Sequence, residues 1–133
     1  MPFTFSIDKA AGVIREVWTG RVDLAQLEES CRLEWSHPDY DRQFKLMSDF
    51  RASEADISAD DVLRFASWFS GEDPPPKHAI VIARESGLAL GGVFAMICDT
   101  VTHEHSQATR LFFSISTAER WLQEGDPFKE VAA

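Results

Sequence analysis

The sequence predicts an α/β domain, a mixed and mostly parallel sheet entered through an antiparallel N-terminal hairpin, in the order ββαβαβαβα. Three observations carry that expectation. Short runs with strand periodicity alternate with longer stretches of helical spacing. The first two strand-like runs are separated only by Asp8-Lys9-Ala10-Ala11-Gly12, turn chemistry that closes a hairpin. Ala79-Ile80-Val81-Ile82-Ala83 is apolar throughout, as in a strand covered on both faces.

The elements follow in order. Phe3 to Ile7 alternates apolar and polar residues, and Val13 to Trp18 is β-branched and aromatic at both ends, with Gly20 closing the second strand. Asp23 followed by Gln26 is a capping box that opens a helix. Leu24, Leu27, Cys31 and Trp35 recur at helical spacing until His37-Pro38 ends the run. Phe44 to Phe50 reads as a short strand. Ser58 with Asp61 three residues on is an N-cap signature for a helix whose apolar face is Val62, Phe65, Ala66 and Phe69. Gly71 and Pro74-Pro75-Pro76 separate it from the apolar strand. Ser86 opens a further helix through Val93, Phe94, Ile97 and Val101; Arg110 to Ser114 is the last strand, and Ser116-Thr117-Ala118-Glu119 is a capping box before Trp121 and Leu122. One domain over residues 1–125 with a loose tail over 126–133 is expected.

Composition bounds the role. With 133 residues, the chain is the size of one domain and hides enough surface to fold without disulfides or metal. Its 13 basic and 22 acidic side chains give a formal net charge of −9. That balance excludes nucleic acid as a partner, because affinity for phosphate backbones rests on clustered Lys and Arg. It also disfavours adsorption to anionic membranes. No basic n-region with an apolar stretch opens the chain, and no apolar run reaches the ~20 residues of a membrane-spanning helix. Cys31 and Cys98 read as buried free thiols, with a bridge between them left open. A cytoplasmic protein without a cofactor is expected.

Strung together, several segments resemble the SpoIIAA-like group of the STAS superfamily. They are the hairpin ending in Trp18-Thr19-Gly20-Arg21, the helix running into Trp35-Ser36-His37-Pro38, and the strand end Met47-Ser48-Asp49-Phe50-Arg51. Ile80-Val81-Ile82-Ala83, Gly87-Leu88-Ala89, and Phe112-Phe113-Ser114 followed by Ala118 to Leu122 complete the match, which spans roughly residues 3–124. The resemblance implies a small β-α superhelix without catalysis, and binding of a partner protein or of a small-molecule or lipid ligand. For anti-sigma antagonists it also implies a phosphorylated serine at the helix start after the third strand. Ser58 stands there, with Ile57 before it and Asp60 and Asp61 after it in place of an Asp-Ser pair.

Three constellations bear on chemistry. Right-handed crossovers bring strand C-ends and helix N-termini to one edge of a parallel sheet. The sequence places Arg21, Arg51 and Arg84 just past successive strands, and Ser58, Ser86 and Ser116 at helix starts, so an anion-binding rim is expected there. The competing reading is that Asp23, Asp49 and Glu85 neutralise the arginines. On the opposite rim, His78, His103 and His105 are weak metal candidates, with His37 nearby, since His-x-His needs a third ligand to hold zinc. The unusually apolar helix from Gly87 to Val101, with Gly91 and Gly92, is a candidate homodimer face or lipid-accommodating surface. A non-enzymatic domain that binds a partner protein or a small anionic or lipidic ligand is the leading expectation. A phosphorylation-switched regulator acting through Ser58 comes second, and a small hydrolase or metal-dependent enzyme third. No G-x-S-x-G elbow is present.

Overall fold

The computed structural model describes residues 3–55, 57–71, 75–83 and 108–124. Five strands, β1 (Phe3–Asp8), β2 (Val13–Val22), β3 (Lys45–Ala55), β4 (Lys77–Val81) and β5 (Ala108–Phe112), form one sheet in sequential order. β1 pairs antiparallel with β2, and every other neighbour is parallel. Three helices stand among the described residues: α1 (Leu24–Trp35), α2 (Ala59–Gly71) and α3 (Ile115–Gln123). The α/β class and the mixed sheet with an edge hairpin are therefore those the sequence predicts. The helix expected from Ser86 to Val101, the tail over 126–133, and the residues Arg84, Ser86, Cys98, His103 and His105 lie outside the described residues.

Local chemistry explains the elements. Asp8 closes the hairpin by accepting the Gly12 N–H on its carbonyl at 2.8 Å and the Ala11 N–H on its carboxylate at 3.0 Å. Gly12 takes φ +69°, a conformation that a side chain disfavours. The capping box of α1 is complete, Asp23 and Gln26 each accepting the other's backbone N–H at 2.9 Å. Ser58 caps α2 as expected, its hydroxyl accepting the Asp61 N–H at 3.1 Å.

Several boundaries differ from expectation: β3 runs on to Ala55, β4 starts at Lys77, and β5 spans Ala108–Phe112. Gly20 does not end β2 but sits inside it at φ +70°, close to a register shift between Val17 and Thr19. The strand bulges there and continues to the buried Val22. α3 begins two residues early, with Ser114 as N-cap in extended backbone, so Ser116 lies within the first turn.

Side chains alternate across the sheet. Val13, Met47, Ala79 and Val81 face α3 and pack with its Ala118 and Leu122. Ile14 and Leu46 face the other way and pack with Cys31 of α1 and Phe65 and Phe69 of α2. Trp18, fully buried, extends that side with Phe3 and Val22. No helix among the described residues is long and apolar enough to cross a membrane.

Candidate functional site

The two faces of the sheet carry different polar chemistry. On the α1–α2 face, a chain of hydrogen bonds runs through the core. Glu16 of β2 accepts the Trp18 indole N–H at 3.0 Å and the Ser48 hydroxyl at 2.7 Å, and Ser48 Oγ lies 2.9 Å from His78 Nε2. Ser48 has one proton and gives it to Glu16, so His78 donates from Nε2 and keeps its lone pair on Nδ1. Thr109 of β5 stands opposite His78 in the ladder, and its hydroxyl has no hydrogen-bond partner among the described residues. From α1, the buried Glu34 carboxyl faces Glu16, and its Oε2 has no hydrogen-bond partner among the described residues. Glu16, Glu34, Ser48, His78 and Thr109 are all at most 5% exposed.

Burial sets the protonation of this chain. Desolvation, reinforced by the facing Glu16, holds the Glu34 carboxyl far above its ordinary value. Desolvation likewise pulls His78 down to about 4, against a smaller opposite pull from Glu16, so the imidazole is neutral at pH 7. The Cys31 thiol is free, buried and pushed well up, chiefly by desolvation, which keeps it from acting as a thiolate nucleophile. Ser48 and His78 touch, but the serine proton goes to Glu16 rather than to the imidazole. The order of a nucleophile, base and orienting acid is therefore not met.

The α3 face is open between the hairpin, β3 and the start of α3. A groove of about 380 Å³ lies there, with Val17, Met47 and Ile115 on its walls and the Thr4 and Ser6 side of β1 at its margin. Val17 is 46% exposed, so the apolar lining is accessible at that residue, whereas Met47 is only 4% exposed. Arg15, Asp49 and Glu119 supply the charge. Arg15 makes a bidentate pair with Glu119 of α3 and reaches Asp8 of β1 at 2.9 Å, tying hairpin and helix across the groove floor. The Glu119 carboxylate first, and then Asp8, hold the Arg15 guanidinium charged against its desolvation. Burial would raise the Asp49 carboxyl, but the Arg51 side chain and backbone N–H outweigh burial and hold it below its usual range.

The predicted site residues are distributed accordingly. Arg21 and Arg51 stand within β2 and β3 rather than past them, because both strands run longer than their apolar patterns. Arg21 is exposed and opposite Glu54, three positions beyond Arg51. Arg51 is clamped by Asp49 at 2.9 and 3.0 Å, the neutralising pair that the sequence offered as the competing reading. Ser58 is exposed at the start of α2, while Ser116 is displaced from the cap and bonds Ser114 Oγ at 2.8 Å. His78, expected on an exposed rim, is instead 5% exposed in the core, because β4 starts at Lys77 and its alternation turns residue 78 inward. His37 accepts the Asp39 N–H at 3.0 Å and stands edge-on to Phe5. Among the described residues, no group of three His, Cys, Asp or Glu side chains is arranged to hold a metal ion.

Sequence reasoning missed Glu16, Glu34 and Arg15. Signals for the first two were present. Glu16 falls on the same strand phase as Ile14 and Trp18, and Glu34 lies three residues after Cys31 and seven after Leu27, on the apolar stripe of α1. A carboxylate in an apolar phase marks a buried charge that needs partners. Of Arg15's two partners only Asp8 is local, across the hairpin, while Glu119 is 104 residues away. No protein-family model matches the chain, and no curated protein matches it.

Proposed function

We propose that this chain is a non-enzymatic binding domain of STAS-like type that takes an amphipathic small ligand, with an apolar body and a polar head, in the groove beside α3. The observation that carries this reading is the exposed Val17, with Ile115 and the buried Met47 beside it, next to fixed charges at Arg15, Asp49 and Glu119. Ligand sites combine apolar lining with a few placed polar groups in volumes of roughly 300–1,000 Å³, and the groove is at the lower end of that range. A simple anion is supported less well, because Arg15 and Arg51 already hold carboxylates that an anion would have to displace. The absence of catalysis in this reading is supported by the burial of Ser48, His78 and Cys31 away from the groove, on the other face of the sheet.

The test is thermal unfolding with a panel of single-chain amphiphiles below their micellar concentrations, alongside inorganic phosphate. A ligand at ~100 times its Kd stabilises by roughly 2.7 kcal/mol, a shift of several degrees. Val17→Glu is expected to abolish the shift while leaving the unliganded protein within ~0.5 kcal/mol of wild type, as for other exposed positions. Stabilisation by phosphate but by no amphiphile would return the assignment to an anion site. No response to either would remove the ligand reading.

A further inference from the structure

We propose that a single proton, carried by Glu34 and shared with Glu16, locks α1 onto the sheet, so that the fold is progressively weakened as the pH rises. Geometry makes the argument. Glu34 faces Glu16 where both residues are at most 4% exposed, and two carboxyl groups packed together out of water cannot both ionise. Glu16 accepts the Trp18 N–H and the Ser48 O–H, two donors that stabilise a carboxylate. Glu34 Oε2 has no hydrogen-bond partner among the described residues. Charge therefore belongs on Glu16 and the proton on Glu34.

The surroundings offer no compensating cation among the described residues. β2 contributes Glu16, β3 contributes Ser48, and β4 contributes His78, which gives its Nε2 proton to Ser48 and is neutral above acidic pH. α1 adds the protonated Cys31 thiol beside the pair and Arg32, whose side chain is 60% exposed and turned to Glu28 and the Trp68 ring. α2 adds Phe65 and Phe69 to that side of the core, and β5 adds Thr109 next to His78. Loss of the shared proton would leave two carboxylates together in the core, with α1 and β2 pushed apart.

The sign follows from linkage. Glu34 is protonated in the folded chain and ionised when unfolded, above its ordinary value of 4.5. The folded state thus binds the extra proton, and stability falls with rising pH, by up to about tenfold in the unfolding constant per pH unit. Glu34→Gln keeps a donor toward Glu16 but has no proton to lose. The experiment measures denaturant unfolding of wild type and Glu34→Gln from pH 4 to 9. The ratio of their unfolding constants is expected to be flat below pH 4.5 and then to rise up to tenfold per unit, with the variant the more stable at pH 7. A ratio that stays flat throughout overturns the proposal. Infrared spectra of the folded wild type at pH 8 give a second decision that does not depend on the variant folding. A carbonyl band of a protonated carboxylic acid is expected, and its absence overturns the proposal as well. Neither measurement involves the groove, so neither outcome is confused with failure of the ligand reading.

Discussion

Ser48 holds the middle of the buried chain, and removing its hydroxyl strands two groups at once. Glu16 loses the Ser48 O–H, and the His78 Nε2 proton loses the Ser48 acceptor. Leaving buried polar groups unsatisfied costs about 1–3 kcal/mol. Ser48→Ala is expected to lower the urea midpoint by the equivalent of about 2 kcal/mol with the slope unchanged, although alanine is a smaller side chain that fits the space. A loss under ~0.5 kcal/mol would mean that the Glu16–Ser48–His78 chain is not a structural unit. This chain was partly legible. Periodicity assigns Ile14, Trp18, Leu27 and Cys31 to the core, and the same phases include Glu16 and Glu34. What periodicity does not give is partnership, because Glu16, Glu34, Ser48 and His78 come from four elements and meet only once the crossovers are made. His78 was misplaced for a simpler reason: β4 begins at Lys77, two residues before the apolar run, and histidine at the margin of such a run looks like loop.

Elements are legible where capping chemistry is local, and least so where two frames compete. Asp23 with Gln26, and Ser58 with Asp61, each offer one frame, and both helices start where those pairs predict. Before α3, Ser114 and Ser116 each have a polar partner three residues on, and the choice depends on where β5 ends. Its ladder with β4 ends at Phe112, leaving Ser114 in extended backbone with φ −136° and ψ 135°. An N-cap needs that extended conformation, so Ser114 takes the role. Its hydroxyl accepts from Thr117 N–H at 3.5 Å, a long bond, and its carbonyl accepts the Thr117 hydroxyl at 3.0 Å. Ser114→Ala is therefore expected near the lower end of the ~0.5–2 kcal/mol cost of losing a cap, and Ser116→Ala at a few tenths. Chemical denaturation of the two variants side by side checks it, and a larger loss at Ser116 would return the helix start to the later serine.

The whole molecule divides by sheet face, with a sealed polar chain under α1 and α2 and an accessible groove beside α3. That division makes its pH response a property of the first face more than of the second. As pH falls from 6.5 toward 4, the unfolded chain gains a proton on His78 that the folded chain refuses, since the folded value is about 4, and stability is lost. Over the part of that range above 4.5, Glu34 acts in the opposite direction, because the folded chain holds a proton that the unfolded chain lacks. The two slopes are each worth up to one proton and oppose each other, so stability is expected to be nearly flat between about pH 4.5 and 6.5. Above pH 6.5 only the Glu34 contribution continues, and stability falls. Below 4.5 Glu34 no longer compensates, and Asp49, held down by Arg51 despite its burial, adds a further loss as pH drops through its lowered value. His78→Gln, which still offers an N–H toward Ser48, removes one slope. Its stability relative to wild type should rise as pH falls from 6.5 toward 4, by up to tenfold in the unfolding constant per unit. Adding Glu34→Gln should leave a double variant with neither slope. A wild-type curve that climbs steadily through pH 4.5–6.5 in either direction, with His78→Gln running parallel to it, would show that the buried imidazole is not neutral in the fold and would break the assignment of a lone pair to its Nδ1.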